Sequence, residues 1–262
     1  MKRVLAVLAV LAVVAAGLGG LVVWQNTYEL REEAVAIRRG GHALDGVLAL
    51  PERGRGPFPL VVFVHGDGPV DATHDTFYRP MWEAFARAGY ASLSWNKPGV
   101  GGAPGDWLDQ SMDDRAGEAA DAIAYVSAVG DPKGMTAARW RFVSKNHTAD
   151  ASADLPALRG TPVLLVLAGH DVNVDTAETE TAYRRLLPGP ALRVAHYPDA
   201  THSLVERAVE DSPLRLTLTA LFAPRALFAD GFLTDQQRFL TTVGDVARQA
   251  RAVPSGDVGM AS

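Results

Sequence analysis

The stretch LVVFVHGDGP, Leu60–Pro69, is an apolar run that ends in a glycine-rich turn. Such a run is typical of a strand that is covered on both faces of a sheet. A second run, TPVLLVL at Thr161–Leu167, has the same character, and shorter strand patterns occur at Ala91–Trp95 and Leu192–Tyr197. Amphipathic helical patterns separate these strands. The alternation predicts an α/β fold with a mostly parallel, doubly wound sheet and helices on both of its faces.

Local patterns also predict a hairpin and one especially clear helix. Residues 34–50 predict an N-terminal β-hairpin, because two strand-like patterns flank the Gly40-Gly41 turn. The helix follows residue 111, where small and apolar side chains recur at helical spacing. Its start is marked by Ser111 and Asp114, which have the spacing of a capping box. A polar tail, residues 252–262, is expected to be disordered.

The first residues indicate a membrane segment. Residues 4–24 form an uncharged apolar run of 21 residues, long enough to cross a bilayer as a helix. The preceding Lys2 and Arg3 favour a cytoplasmic N-terminus. We therefore predict a helix over Val4–Val23 that protrudes from the domain, with residues 1–27 as a single-pass anchor in the cell membrane and residues 28–251 as an extracytoplasmic domain. The alternative is a signal peptide that is cleaved near residues 14–16, which would release a secreted domain.

Composition excludes several classes of protein. The chain has 262 residues, a net charge of -5 and no Cys, which excludes thiol catalysis, disulfides and Cys-based zinc sites. No long run of Lys or Arg is present, so nucleic acid is not an expected partner. The segment DVNVD, residues 171–175, resembles the start of a calcium loop, but Thr176 stands where the loop requires Gly. We predict neither a metal nor a cofactor.

Three loops after predicted strands carry residues suited to catalysis. In open α/β sheets, such loops cluster at the carboxyl ends of the strands. Asp171 follows the Thr161–Leu167 strand, and His202 follows the last strand. The turn after the strand at residues 60–64 consists of His65, Gly66, Asp67 and Gly68. Its backbone N–H groups could face a developing oxyanion.

The order of these motifs resembles the α/β-hydrolase superfamily, and most closely its bacterial serine esterase and peptidase-like branch. The resemblance covers about residues 32–246 and is carried by HGDGP, SWNKPGVGGAPGDW, GHDVNVD and PDATHSL in that order. It implies hydrolysis of an ester, thioester or peptide bond in a small acyl substrate. It also implies that Asp171 is the acid of a catalytic triad, His202 the general base, and the turn at residues 66–68 the oxyanion loop.

One part of the superfamily pattern is missing. The serine of this fold belongs to a G-x-S-x-G elbow that precedes the acid and the base, and no such motif occurs in the chain. About 35 residues separate Val126 from Pro162, whereas the missing strand, elbow, helix and second strand need about 45 or more. We interpret this as an internal deletion between Tyr125 and Gly130. The other candidate nucleophiles lack the elbow's strand, turn and glycines; they are Ser94, Ser111, Ser127, Ser144 and Asp67.

The sequence therefore predicts a shortened sheet of α/β-hydrolase type, and a protein of serine-hydrolase ancestry with impaired activity. Whether it is still an enzyme is left open, and the alternative is a non-catalytic pseudoenzyme or ligand-binding protein on the same scaffold. We also predict that the Thr161–Leu167 strand lies directly beside the strand at residues 60–64, because unpaired strands inside a domain are costly. Asp171 is then expected to lie within hydrogen-bond reach of His202.

Overall fold

The computed structural model describes residues 2–39, 42–54, 56–66, 68–129 and 155–252. Asp67, Gly130 at the end of the predicted deletion site, the segment 131–154 and residues 253–262 of the predicted tail lie outside these ranges. The helices are α1 Lys2–Gln25, α2 Arg79–Arg87, α3 Met112–Val129, α4 Thr176–Leu186, α5 Arg207–Glu210, α6 Pro213–Phe222 and α7 Phe232–Ala252. Short 3-10 helices cover Trp107–Asp109, Leu155–Leu158 and Pro224–Leu227.

Among the described residues, four strands form the first sheet in the order β1-β2-β4-β3. They are β1 Leu30–Arg39, β2 His42–Pro51, β3 Leu60–Val62 and β4 Ala91–Trp95. Strands β1 and β2 form the predicted hairpin, with Leu30 opposite Pro51. Strand β2 pairs antiparallel with β4, and β3 pairs parallel with β4. The sheet is thus mixed rather than mostly parallel, because the hairpin adds antiparallel strands to the parallel pair.

The described part of the second sheet consists of β5 Val163–His170 and β6 Leu192–Thr201, which are parallel and connected through α4. The prediction that β5 lies directly beside β3 is wrong. Within the described residues β3 pairs with β4 alone and β5 pairs with β6 alone, so the two strands belong to separate sheets. The prediction assumed that the deletion leaves β3 and β5 without other neighbours, so that they would pair with each other to satisfy their backbone N–H and C=O groups.

Helix α2 and the residues before it join the two sheets. Phe77 and Met81 pack against a cluster under the first sheet that contains Trp82, and also against a cluster under the second sheet that contains Phe228. The rings of Phe77 and Phe228 have their centroids 4.8 Å apart. Full burial of a side chain such as Phe228 contributes about 1.5–3 kcal/mol. The two sheets therefore share one continuous apolar seam.

A buried ion pair reinforces this seam. The carboxylate of Glu83 on α2 accepts hydrogen bonds from Nε and Nη2 of Arg225, at 2.6 and 2.8 Å. The side chain of Glu83 is 2% exposed. A buried carboxylate without a partner is costly, so the bidentate contact fixes α2 to the segment before α7.

Two local predictions are confirmed. Helix α3 begins after Ser111, whose Oγ accepts a hydrogen bond from the backbone N–H of Asp114, while the carboxylate of Asp114 accepts one from the N–H of Ser111. Helix α1 contains the whole predicted segment Val4–Val23, and none of its residues is buried. It is long and apolar enough to cross a membrane, and an 18-residue window within it has a mean hydropathy of 2.7. A signal sequence satisfies the same criteria.

Candidate active site

Asp171 and His202 lie at the same edge of the second sheet. Asp171 follows β5 and His202 follows β6, and the parallel pairing of these strands brings the two loops together. Nδ1 of His202 lies 2.9 Å from Oδ2 and 3.0 Å from Oδ1 of Asp171. An ionised carboxylate only accepts hydrogen bonds, so Nδ1–H donates and Nε2 is left to take a proton. The contact expected from the sequence is therefore present.

The carboxylate of Asp171 is fixed by its own loop. Oδ1 accepts hydrogen bonds from the backbone N–H groups of Asn173 at 2.8 Å and Val174 at 3.0 Å. Burial acts to raise the pKa of Asp171, but the hydrogen bonds from His202 and these two amides outweigh it, so the pKa is lowered. The side chain of Asp171 is 9% exposed, whereas that of His202 is 51% exposed. A charged, oriented carboxylate thus holds a solvent-accessible imidazole.

A glycine allows the close approach of the ends of β5 and β6. The register of β5 and β6 shifts between Ala168 and His170. A Cβ atom on Gly169 would lie 2.1 Å from the carbonyl oxygen of Pro198, much closer than any side chain tolerates. After β6 the chain turns sharply at Leu204, which has a φ of 59° and donates a backbone hydrogen bond to Thr201. Bulges and strained turns of this kind commonly orient functional side chains.

The side chain of His65 lies in the core, not at the surface of the turn. The residue is 4% exposed. Its Nε2–H donates to the carbonyl oxygen of Trp95, and its Nδ1 accepts from the hydroxyl of Tyr78 at 3.0 Å. Burial lowers the pKa of His65 to about 4 and raises the pKa of Tyr78 to about 12. His65 is therefore neutral near pH 7, and its hydrogen bonds to Tyr78 and Trp95 fix the start of the turn to the core.

Two cations that the sequence analysis missed hold the backbone of this turn. Nζ of Lys97, a residue that is 3% exposed, donates to the carbonyl oxygens of Gly66 and Gly68, both at 2.8 Å. The guanidinium of Arg115 donates to the carbonyl oxygen of His65. Because a trans peptide directs its C=O and N–H to opposite sides, the N–H of Gly66 points away from Arg115. The available signal was a lysine next to the glycine-rich segment 99–105. Lys97 is distant in the chain from the turn at residues 65–68, so its contact with that turn could not be predicted.

Two of the serines weighed as nucleophiles, Ser94 and Ser111, have other roles in the part of the chain that the structure describes. Ser94 Oγ lies 3.4 Å from Nε2 of His65, which resembles a serine–histidine pair. However, Nε2 donates to Trp95 and cannot accept the hydroxyl proton, and Ser94 is fully buried. Ser111 caps α3. Ser144 and the side chain of Ser127 lie outside what the structure describes, and among the described residues the ring of His202 is hydrogen-bonded to Asp171 alone.

Comparison with solved structures identifies the fold. The esterase Pf2001 of Pyrococcus furiosus superposes with a TM-score of 0.54 and 13% identity, covering 82% of this chain and 92% of that one. A putative dienelactone hydrolase from Klebsiella pneumoniae gives 0.52 and 15%, covering 82% and 98%. A dienelactone hydrolase from Anabaena variabilis gives 0.50 and 21%, covering 75% and 96%. The chain therefore has an α/β-hydrolase fold, as the sequence motifs predicted.

Sequence comparison gives a shorter match. Esterase FrsA of Pectobacterium atrosepticum is 36% identical over 74 residues. The match covers 28% of this chain and 17% of that protein, so the chain spans only a small part of the length of this relative. No protein-family model matches the chain.

Proposed function

We propose that this domain derives from a serine hydrolase of ester, thioester or peptide bonds, in which Asp171 is the acid and His202 the general base. The observation that carries the proposal is the contact of 2.9 Å between Asp171 and Nδ1 of His202, with the carboxylate fixed in turn by two backbone amides. In a triad the carboxylate orients the imidazole, so that Nε2 takes the proton of the attacking hydroxyl. The esterases and dienelactone hydrolases among the similar proteins support the same class of reaction.

The turn after β3 supplies the second element of this machinery. In acyl transfer, the carbonyl oxygen of the substrate becomes negatively charged and is stabilised by preorganised N–H groups. The N–H of Gly66 is one such donor, since Arg115 holds the carbonyl oxygen of the same peptide on the opposite side. Lys97 fixes the carbonyl oxygen of Gly66 in the next peptide. Pro69 has no N–H group, so it contributes nothing to an oxyanion site.

Catalysis by this chain is nevertheless impaired, because the sequence lacks the G-x-S-x-G elbow. Without the nucleophile the covalent route is closed, and oxyanion and binding groups support only weak catalysis. The alternative function is that of a pseudoenzyme that binds an acyl ligand without cleaving it. It is favoured by the combination of an intact Asp171–His202 pair and an absent elbow.

Helix α1 is the membrane anchor of this domain. Its length and apolarity suit a single crossing, and Lys2 and Arg3 favour a cytoplasmic N-terminus with the hydrolase domain on the other side. The alternative is a secreted domain after removal of the segment. Mass measurement of the mature protein distinguishes the two, because cleavage near residues 14–16 removes the first part of α1.

A fluorophosphonate probe tests the enzymatic proposal. The full chain, in detergent micelles, is incubated with the probe and its intact mass is measured, with His202→Ala as the matched control. No covalent adduct on either folded protein is the expected result. A stoichiometric adduct that forms on the natural chain and not on His202→Ala would locate a working serine and contradict the proposed impairment.

A further inference from the structure

Helix α6 exposes apolar side chains that the domain does not cover. Its sequence, PLRLTLTALF, is apolar, and none of its residues is buried. Leu214, Leu218 and Leu221 follow the spacing i, i+4, i+7 and therefore share one side of the helix. They are 68%, 45% and 44% exposed, respectively. Contiguous exposed apolar surface of this kind indicates a binding surface for a protein or a membrane.

The position of α6 identifies its occupant, because the helix ends against the end of α1. The side-chain amide of Asn26, directly after α1, donates to the carbonyl oxygen of Leu221 on α6 at 2.8 Å and to that of Val22 on α1 at 2.9 Å. One side chain thus bridges the two helices.

Arg225 makes this junction rigid. Its guanidinium donates to the carbonyl oxygens of Gln25 at 2.8 Å and Thr27 at 3.0 Å, and also binds the buried carboxylate of Glu83 on α2. It lies over the ring of Tyr28, 4.7 Å from the centroid. The end of α1 is therefore fixed to the domain, and α6 is held at the level where α1 would leave a bilayer. Trp24 lies at that end of α1 and is 69% exposed. Tryptophan is enriched at membrane–water interfaces.

We propose that α6 is a membrane-surface helix whose leucine side, Leu214, Leu218 and Leu221, inserts into the lipid interface beside the anchor α1. This inference rests on the proposed anchoring by α1. An amphipathic helix in this position buries its apolar side roughly 5–10 Å below the headgroups. The exposed Arg215 on the same helix is suited to contact lipid phosphates. Together α1 and α6 would fix the orientation of the hydrolase domain relative to the membrane.

The experiment uses the full chain in vesicles of phosphatidylcholine and phosphatidylglycerol. The chain contains no Cys, so single cysteines can be labelled with an environment-sensitive fluorophore without altering native thiols. The variants are Leu218→Cys on α6, Val14→Cys in the middle of α1, and Leu108→Cys as the matched control. Leu108 is an exposed leucine, 70% accessible, in the short helix after β4. Lipids brominated near the headgroup or deep in the acyl chain serve as quenchers.

The expected result is strong quenching of the Leu218→Cys label by shallow quenchers, several-fold greater than at Leu108→Cys. The Val14→Cys label is quenched best by the deep bromines, which confirms the anchor independently. Deep quenching at residue 14 with equal quenching at residues 218 and 108 overturns the role of α6 but leaves the anchor in place. A label at residue 218 that is shielded from water yet not quenched indicates a protein partner or a second copy, and also overturns the proposal. Loss of quenching at residue 14 contradicts the anchor itself.

Discussion

Two histidines follow strands in the two sheets, and their surroundings give them opposite properties. His202 is half exposed and donates to the charged carboxylate of Asp171, which orients the ring toward solvent. His65 is buried between two neutral groups, the hydroxyl of Tyr78 and the carbonyl of Trp95, and burial lowers its pKa. The comparison teaches that burial and the charge of the partner, rather than residue type or position after a strand, decide whether a histidine is structural or suited to proton transfer.

The largest expected effect of this difference is on stability. His65→Ala removes a buried ring and leaves the Tyr78 hydroxyl and the Trp95 carbonyl without their partner. We expect the free energy of unfolding to fall by about 3–5 kcal/mol, from the cavity and the unsatisfied polar groups together. Urea unfolding of the full chain in detergent micelles measures it. A loss below about 1 kcal/mol, which is ordinary for a surface site, would break the distinction between the two histidines.

Acid should destabilise the protein through His65. Its pKa is lowered in the folded state to about 4, while the unfolded chain titrates near the ordinary value of 6.5. The unfolded state therefore binds more protons between these values, so stability is unchanged above pH 6.5 and falls as the pH decreases toward 4. The linked loss between pH 7 and pH 4 is about 3 kcal/mol.

Carboxyl groups add to the loss at the acid end of this range. The pKa of Asp171 is lowered from its ordinary value of 3.8, so its contribution to stability is lost only as the pH falls below that value. The variant His65→Gln isolates the contribution of the histidine, because Gln supplies a neutral hydrogen-bonding amide in place of the imidazole and does not titrate. The pH dependence of unfolding is measured for both proteins, and the difference between the curves gives the contribution of His65. Parallel curves from pH 7 to pH 4 would show that His65 is not held neutral by burial.

Gly169→Ala tests the surroundings of His202, and its effect on the free energy of unfolding is expected to be smaller than that of His65→Ala. The new methyl group would meet the backbone of Pro198, so the ends of β5 and β6 must separate. We expect a loss of about 1–3 kcal/mol, typical of overpacking. In the NMR spectrum, the Nδ1–H signal of His202 should lose its hydrogen-bonded shift as Asp171 moves away. Retention of that signal would mean that the close approach is not what positions the pair.

Local features of this protein could be predicted from sequence, whereas most long-range ones could not. The capping box of Ser111 and Asp114, the hairpin and α1 depend on residues close together in the chain. The Asp171–His202 contact was also predictable, because the order of strands and loops implied it. The separation of β3 from β5 was missed, since an apolar run does not specify its neighbour in a sheet. The burial of His65 was missed for the same reason, because its partners come from other segments.

The smallest effect on stability is expected for His202→Ala, which removes a half-exposed side chain at the surface. The free energy of unfolding should change by no more than about 0.5 kcal/mol. Urea unfolding under the same conditions as for His65→Ala checks this directly. A loss as large as that of the buried histidine would show that the Asp171–His202 contact is a structural element of the sheet edge.

Hydrolysis of a simple acyl ester, such as 4-nitrophenyl butyrate, tests most directly whether the fold retains an acid and a base without a nucleophile. The full chain and His202→Ala are assayed side by side under conditions where both are folded. We predict that both rates equal the uncatalysed background. A turnover number within the ordinary enzyme range of about 1–10³ s⁻¹, abolished by His202→Ala, would contradict the proposed impairment and reveal a nucleophile outside G-x-S-x-G.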